Sequence, residues 1–177
     1  MKQESIVQKD ALRQWQGQRS RAMGKQFEDR LDASFAYYSA KGSALVEKTP
    51  EPIRILSRPD RNQRFTTCFA KKAQPDYKGT IKGGRTVIFE AKFTWGAEQR
   101  LQQSAVKEQQ AEYMDLSERL GARCYIVAGF LSGEVYRVPW EVWRDMKAHF
   151  GRKYVTEADL TEYRVQTSWN NVLRLLG

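Results

Sequence analysis

Between residues 25 and 40 the apolar positions fall at helical spacing. Phe27, Leu31, Phe35 and Tyr38 share one face with Ser34 among them, and Gly42 follows as a suitable stop. Residues 1–22 carry no sustained period and read as a basic flexible arm or a loosely held helix. Residues 44–47 and 53–56 read as extended segments separated by Pro50 and Pro52. Residues 76–81 and 86–94 read as two strands around Lys82-Gly83-Gly84, a hairpin signal. A helix is predicted over 98–120 and closed by Gly121, with Leu101, Ala105, Val106, Tyr113, Leu116 and Leu120 as its apolar positions. Residues 123–130 predict a buried strand, and 135–138 another after the Ser132-Gly133 turn. Trp140, Trp143 and Met146 predict a helix over 139–150, and Thr156 with Glu157 and Asp159 signals a further helix start. An apolar stretch, 169–176, ends the chain. No repeat or low-complexity segment breaks this pattern, so a single domain over 23–177 is expected behind the arm.

Strand alternation over 86–94 puts Val87, Phe89, Ala91 and Phe93 on one apolar face and Ile88, Glu90, Lys92 and Thr94 on the other. Glu90 and Lys92 therefore project together. Asp76 joins them only if Lys82-Gly83-Gly84 forms a three-residue loop, which suits a glycine in the left-handed conformation. A two-residue Gly83-Gly84 turn would instead place Asp76 on the opposite face.

Pro75-Asp76 followed by Glu90-Ala91-Lys92 supplies two carboxylates and an amine, the groups needed for metal-assisted cleavage of a phosphodiester. Carboxylates take hard cations such as Mg²⁺. The cation activates water and neutralises charge developing on the phosphate, and the lysine adds a fixed positive charge. The alternative is a pair of solvent-facing strand carboxylates with Lys92 as ion-pair partner, an arrangement that contributes roughly 0–1 kcal/mol. Acidic residues are poor strand formers, and Glu90 sits centrally in a run of good ones, which favours a site. Gln110 stands close to the apolar stripe of its predicted helix, where an amide carbonyl can meet a metal ion or its water. Glu28 borders the stripe of the first helix beside Leu31. A surface glutamine and a solvated flanking acid are the plain readings of these two.

The chain has 177 residues and carries 30 Lys and Arg against 21 Asp and Glu, a formal charge of +9. Such an excess favours a polyanionic partner, because each neutralised phosphate releases condensed counterions. Its distribution sharpens the point: Arg54, Arg58, Arg61, Arg64, Lys71 and Lys72 crowd one stretch against Asp60 alone, with Phe65 and Phe69 interleaved. Arg13, Arg19, Arg21 and Lys25 form a second cluster. No apolar run approaches the roughly 20 residues of a membrane span. The first twenty residues hold no apolar core of a secretory signal, so a cytoplasmic protein is expected. Cys68 and Cys124 have no metal spacing and read as reduced thiols. The single His149, expected on a helix surface, excludes a histidine metal site, and no Walker loop or nucleophile elbow is present.

Together these residues resemble the RecU family of Holliday junction resolvases, nucleases of the PD…(D/E)xK type. Gly24 to Tyr38 looks like the family's first helix, and Lys48-Thr49-Pro50-Glu51-Pro52-Ile53 like its strand entry. Asp76-Tyr77-Lys78-Gly79 is similar to its Asp-Tyr-x-Gly, and Phe89-Glu90-Ala91-Lys92 matches its Phe-Glu-Ala-Lys. Gln110, with Glu112 and Met114 after it, falls where the family has a glutamine ligand. The resemblance implies a restriction-endonuclease-like α/β core, with a mixed central sheet flanked by helices and a protruding basic hairpin, the stalk, over 57–73. It implies Mg²⁺, with Mn²⁺ as a substitute, held by Asp76 and Glu90 with help from Gln110, and Lys92 stabilising the transition state. Glu28 corresponds to an acidic position near the site in related resolvases. The family's threonine ligand two residues before the aspartate is here Gln74, which departs from the pattern. The step from Glu90 to Gln110 is one residue longer than usual, so Gln109 is an alternative. Arg58, Arg61, Arg64, Lys71 and Lys72 would meet phosphates of branched DNA.

The implied protein is a homodimer in the cytoplasm of a bacterium or a phage-infected host cell, nicking four-way junctions symmetrically in homologous recombination and repair, alongside other recombination proteins. The rival readings are a related nuclease acting on other branched or duplex DNA, and a non-catalytic branched-DNA-binding protein.

Overall fold

The computed structural model describes residues 2–50, 53–56, 58, 61–62, 64, 66–69, 74–95 and 98–176, with side chains described for all of these except 2–14, 16, 53–55 and 67–69. Helix α1 (Lys2–Ala40) runs without a break through Gly17 and Gly24, so the segment read as an arm continues the expected helix. Its outer part is tied to the body by aromatic contact: the Trp15 and Trp95 rings lie 6.5 Å apart, and the Arg19 guanidinium stands 5.2 and 5.4 Å from their centroids. Gly42, with φ 62°, follows the helix as expected.

Strands β1 (Ala44–Lys48), β4 (Tyr77–Ile81), β5 (Thr86–Phe93), β7 (Arg123–Gly129) and β8 (Val135–Pro139) form one mixed sheet in the order β1-β4-β5-β7-β8. All neighbours are antiparallel except β5 and β7, which are parallel. A parallel pair needs a crossover. Here it passes through β6 (Arg100–Gln102), a 3₁₀ turn and helix α2 (Glu108–Arg119). Among the described residues, strands β2 (Ile53–Ile55) and β3 (Thr67–Phe69) pair only with each other, and Leu56 N donates to Thr66 O at 2.8 Å. This ribbon carries the exposed Arg58, Arg61 and Arg64. Phe65, Lys71, Lys72 and the side chain of Phe69 lie outside the described residues.

The alternation expected for β5 sorts the two cores. Val87 and Phe89 pack toward Phe27, Leu31 and Phe35 of α1, whereas Ile88 packs with Met114 of α2 and with Trp140 and Trp143. Phe35 anchors α1, with ring centroids 5.0 Å from Tyr77 and 5.2 Å from Phe89. Ser34, fully buried in the α1 stripe, accepts Leu173 N at 3.1 Å while its own hydroxyl donates to Arg30 O. The chain's last segment is thereby strapped across α1, where Leu173 and Leu175 are buried. Cys124 is a buried free thiol pushed up to about 12 by burial, and His149 is exposed. Among the described residues no helix is long and apolar enough to cross a membrane.

Three sequence expectations need correction. The helix predicted over 98–120 begins only at Glu108; before it, Arg100–Gln102 forms β6 and pairs with β9 (Tyr154–Thr156). Leu101 and Val106 are both buried, a spacing that a short strand and a turn satisfy as well as a helix does. The helix over 139–150 is two short ones, α3 (Trp140–Arg144) and α4 (Met146–Phe150), broken at Asp145. Thr156 closes β9 rather than opening an α-helix, and Ala158–Tyr163 is 3₁₀. There Asp159 Oδ2 accepts the Thr156 N–H at 2.8 Å and its hydroxyl at 2.7 Å.

Gly79 is required by close approach rather than by turn geometry. A Cβ there would lie 2.0 Å from Leu45 O and 2.6 Å from Val46 Cα, both backbone atoms of β1. Gly79→Ala is therefore expected to push β1 off β4 and to lower unfolding stability by at least about 2 kcal/mol, measured by urea denaturation. A change within error would show that the two strands separate freely.

Candidate active site

The β4–β5 register pairs Tyr77 with Phe89 and Thr80 with Thr86, and Ile81 N donates to Arg85 O at 3.0 Å. Lys82-Gly83-Gly84 is thus the three-residue loop, with Gly83 and Gly84 at φ 97° and 84°. Continued outward, this register brings Asp76 opposite Glu90. At that position side chains take over from the ladder: Asp76 N donates to Glu90 Oε2 at 3.2 Å, and Ala91 N donates to Asp76 Oδ2 at 2.9 Å.

Glu90 is completely buried. Its Oε1 accepts the Lys92 ammonium at 2.5 Å and the Gln110 Nε2–H at 2.8 Å. Burial raises its carboxyl to about 7; Lys92 acts against this and the neighbouring Asp76 adds to it. Asp76 is raised too, mainly by burial and further by Glu28, while the Ala91 N–H, Lys92 and Lys48 oppose the shift. The two carboxyls thus share a place where ionising both is disfavoured. The surface-pair reading does not fit a carboxylate with no exposure.

Gln110 is buried and Gln109, one residue earlier on α2, is exposed, and Gln110 is the glutamine that reaches Glu90. It does so through its NH₂ group, which also donates to Gln74 O at 3.4 Å. Its oxygen accepts Lys107 N at 3.1 Å, capping the start of α2. Gln74 faces the site with its backbone carbonyl, and its side-chain oxygen is occupied by Lys78 Nζ at 2.5 Å. Glu28 stands at the rim, bonded to Lys48 Nζ at 2.6 Å and raising Asp76 through space. The Glu28 carboxylate in turn lifts the Lys48 ammonium above the usual lysine value. Lys48 was not singled out from the sequence as a site residue. It is placed by the pairing of Lys48 with Tyr77, which joins segments far apart in the chain and leaves no local signal.

Among the described residues no group of three or more His, Cys, Asp or Glu is arranged to hold a metal ion. The donor set is two neighbouring carboxylates, Glu90 buried and Asp76 half-buried, with the Gln74 backbone oxygen near the Gln110 amide that contacts Glu90. This suits a hard divalent cation, which is bound by one or two carboxylates and keeps much of its water. The disfavoured double negative charge is the deficit that such a cation relieves.

A family model described as "Recombination protein U" (RecU) matches residues 22–176. The chain is 30% identical over 147 residues to the Holliday junction resolvase RecU of Listeria welshimeri, covering 78% of this chain and 72% of the relative. It is 27% identical over 164 residues to the Holliday junction resolvase RecU of Pediococcus pentosaceus, covering 86% of this chain and 80% of the relative. Among solved structures it is similar to Archaeoglobus fulgidus Hjc, a Holliday junction resolvase, with a TM-score of 0.45 and 13% identity over 78% of this chain and 87% of that one.

The Glu90 environment has a pH signature. Unfolded, its carboxyl titrates near 4.5; folded without metal it titrates at about 7. The folded state therefore binds the proton more tightly, and an ionisation penalty accumulates from about pH 4.5 to about 7 and stays constant above. Glu90→Gln mimics the protonated acid, so it should stabilise the metal-free protein at pH 8 by on the order of 2–3 kcal/mol. That gain should vanish below pH 4.5, as followed by thermal unfolding in EDTA across pH. A variant less stable than the parent at pH 8 would show that Glu90 ionises without cost.

Proposed function

The chain belongs to the RecU family, and from that membership we propose that it is an endodeoxyribonuclease that resolves four-way DNA junctions. It would place paired symmetric nicks during homologous recombination and repair, in the cytoplasm and beside other recombination proteins. The observation that carries this reading is the pair of half-buried Asp76 and buried Glu90, joined through backbone N–H groups, with Lys92 at its edge.

A divalent cation, Mg²⁺ or in its place Mn²⁺, would be held by the carboxylates of Asp76 and Glu90. The Gln74 carbonyl lies beside them, and Gln110 would offer its oxygen after its amide turns and releases the α2 cap. Such a cation, when bound, supplies water activation at neutral pH and compensates charge on the phosphate. Lys92 is one-fifth exposed and its ammonium rests on Glu90. Once Glu90 serves the cation, Lys92 would donate to a non-bridging phosphate oxygen, where charge grows as the oxygen of the attacking water bonds to phosphorus. That water would give its proton to solvent as the P–O bond to the leaving oxygen breaks, and the leaving oxygen would take a proton from solvent. Glu28 and Lys48 would adjust the field on Asp76 from the rim.

Arg58, Arg61 and Arg64 would contact backbone phosphates, with Lys71 and Lys72 as further contacts in the same stretch. Two equivalent nicks call for two equivalent sites, which a two-fold homodimer provides.

Asp76→Ala and Glu90→Ala are expected to reduce Mg²⁺-dependent nicking of a mobile four-way junction to background while junction binding is kept. Lys92→Ala should lower the rate by about 10²–10³-fold. EDTA should abolish cleavage by the parent protein. Full cleavage by either carboxylate variant would defeat the assignment. Equal cutting of linear duplex would favour a general nuclease, and binding without any nicking a non-catalytic binder. The triple variant Arg58→Ala/Arg61→Ala/Arg64→Ala should weaken junction binding and flatten its dependence on salt. An unchanged salt slope would remove the ribbon from the DNA interface.

A further inference from the structure

Among the described residues three buried side-chain polar atoms have no hydrogen-bond partner: Arg30 Nε, Arg152 Nε and Thr49 Oγ1. The two guanidiniums are otherwise engaged. Arg30 donates to Gly133 O and Thr167 Oγ1, both at 2.8 Å, and Arg152 donates to Asp159 Oδ2 and Phe150 O. Thr49 has one hydroxyl, so an unpartnered Oγ1 leaves the entire polar function of its side chain unused. Buried hydroxyls nearly always find a partner, and one that does not calls for an unseen water, ion or ligand.

Strand parity says where this hydroxyl lies. In β1, Ala44 and Val46 are buried in the α1 core and Lys48 reaches Glu28 on α1, so these three residues share the α1 face. Thr49 follows on the opposite face, the one that carries Asp76, Glu90 and Lys92. Its N–H donates to Asp76 O at 2.7 Å, extending the β1–β4 ladder one step beyond Lys48 and Tyr77. Side chains of directly opposed residues in antiparallel strands have Cβ atoms about 4.5–5.5 Å apart. Thr49 is thus the neighbour of Asp76 on the side away from Glu90. The β1–β4 register therefore sets Thr49 on the Asp76 flank, across β4 from Glu90.

We propose that Thr49 is a positioning residue of the cation site, its Oγ1 accepting a hydrogen bond from the hydration water of the divalent cation that Asp76 and Glu90 hold. This rests on the metal-site reading above. A neutral hydroxyl suits the role because a small hard cation keeps several of its waters, and those waters need acceptors. A carboxylate in the same place would add a third negative charge beside two neighbouring carboxylates. An apolar residue would leave the water unheld. The hydroxyl that is an orphan without the ion thus becomes satisfied with it.

The test is Mn²⁺ binding to the full-length protein without DNA, followed by the electron paramagnetic resonance signal of the free ion. Thr49→Val, Thr49→Ser and Asp76→Asn are compared with the parent, and thermal midpoints in EDTA are recorded beside them. Asp76→Asn should abolish saturable binding. Thr49→Val should weaken it about tenfold with a midpoint in EDTA equal to or above that of the parent. Thr49→Ser should restore the affinity.

Parental affinity in Thr49→Val, with binding lost in Asp76→Asn, would overturn the role of Thr49 and leave the site reading intact. Absence of any binding that depends on Asp76 would overturn both. Should the valine variant not fold, Thr49→Ala against Thr49→Ser makes the same comparison, and equal affinities there would again overturn the role.

Discussion

Asp76 and Glu90 hold each other through the backbone, each carboxylate accepting an N–H from the strand that carries the other. Everything proposed for the site depends on this exchange, and the exchange depends on register. A one-residue slip between β4 and β5 would turn Asp76 to the α1 face and separate the carboxylates. The slip is prevented by the three-residue loop, whose Gly83 and Gly84 adopt the left-handed backbone that other residues resist. It is also prevented by the two apolar faces of β5, which belong to different cores and cannot be interchanged.

The same arrangement explains why two acids survive in the middle of a sheet. Taking a carboxylate out of water is costly unless hydrogen bonds and opposite charge meet it. Glu90 receives Asp76 N–H, the Gln110 amide and the Lys92 ammonium. These contacts are incomplete compensation, since both carboxyls remain raised. A site that nearly balances two negative charges in the free protein is poised to gain from a divalent cation. The conflict between local stability and burial falls where the chemistry is proposed.

Much of this was legible in the chain. Period two in 86–94 separates Glu90 and Lys92 from Phe89 and Ala91, and the Lys82-Gly83-Gly84 loop selects the register that brings Asp76 in. The apolar stripe of α2 separates buried Gln110 from exposed Gln109. What stayed hidden depends on partners distant in sequence. Residues 100–102 become a strand because β9 pairs with them, and nothing local distinguishes their apolar spacing from a helical one. Lys48 and Thr49 lie beside Tyr77 and Asp76 because β1 pairs with β4, a contact that the intervening basic stretch conceals. The orientation of the Gln110 amide follows from a competition between capping α2 and facing Glu90, which composition cannot decide. The continuity of α1 beyond its amphipathic part accompanies the Trp15, Arg19 and Trp95 cluster, again a contact between remote segments.

The central claim is that Asp76 and Glu90 together hold a divalent cation. A crystal of the protein grown with Mn²⁺ and measured near the manganese absorption edge tests it most directly. The account predicts an anomalous-scattering peak within coordination distance of both carboxylates, with Lys92 Nζ moved off Glu90. A fully occupied Mn²⁺ elsewhere, with Asp76 and Glu90 still bonded only to the Ala91 N–H, Asp76 N–H, Gln110 and Lys92, would contradict it.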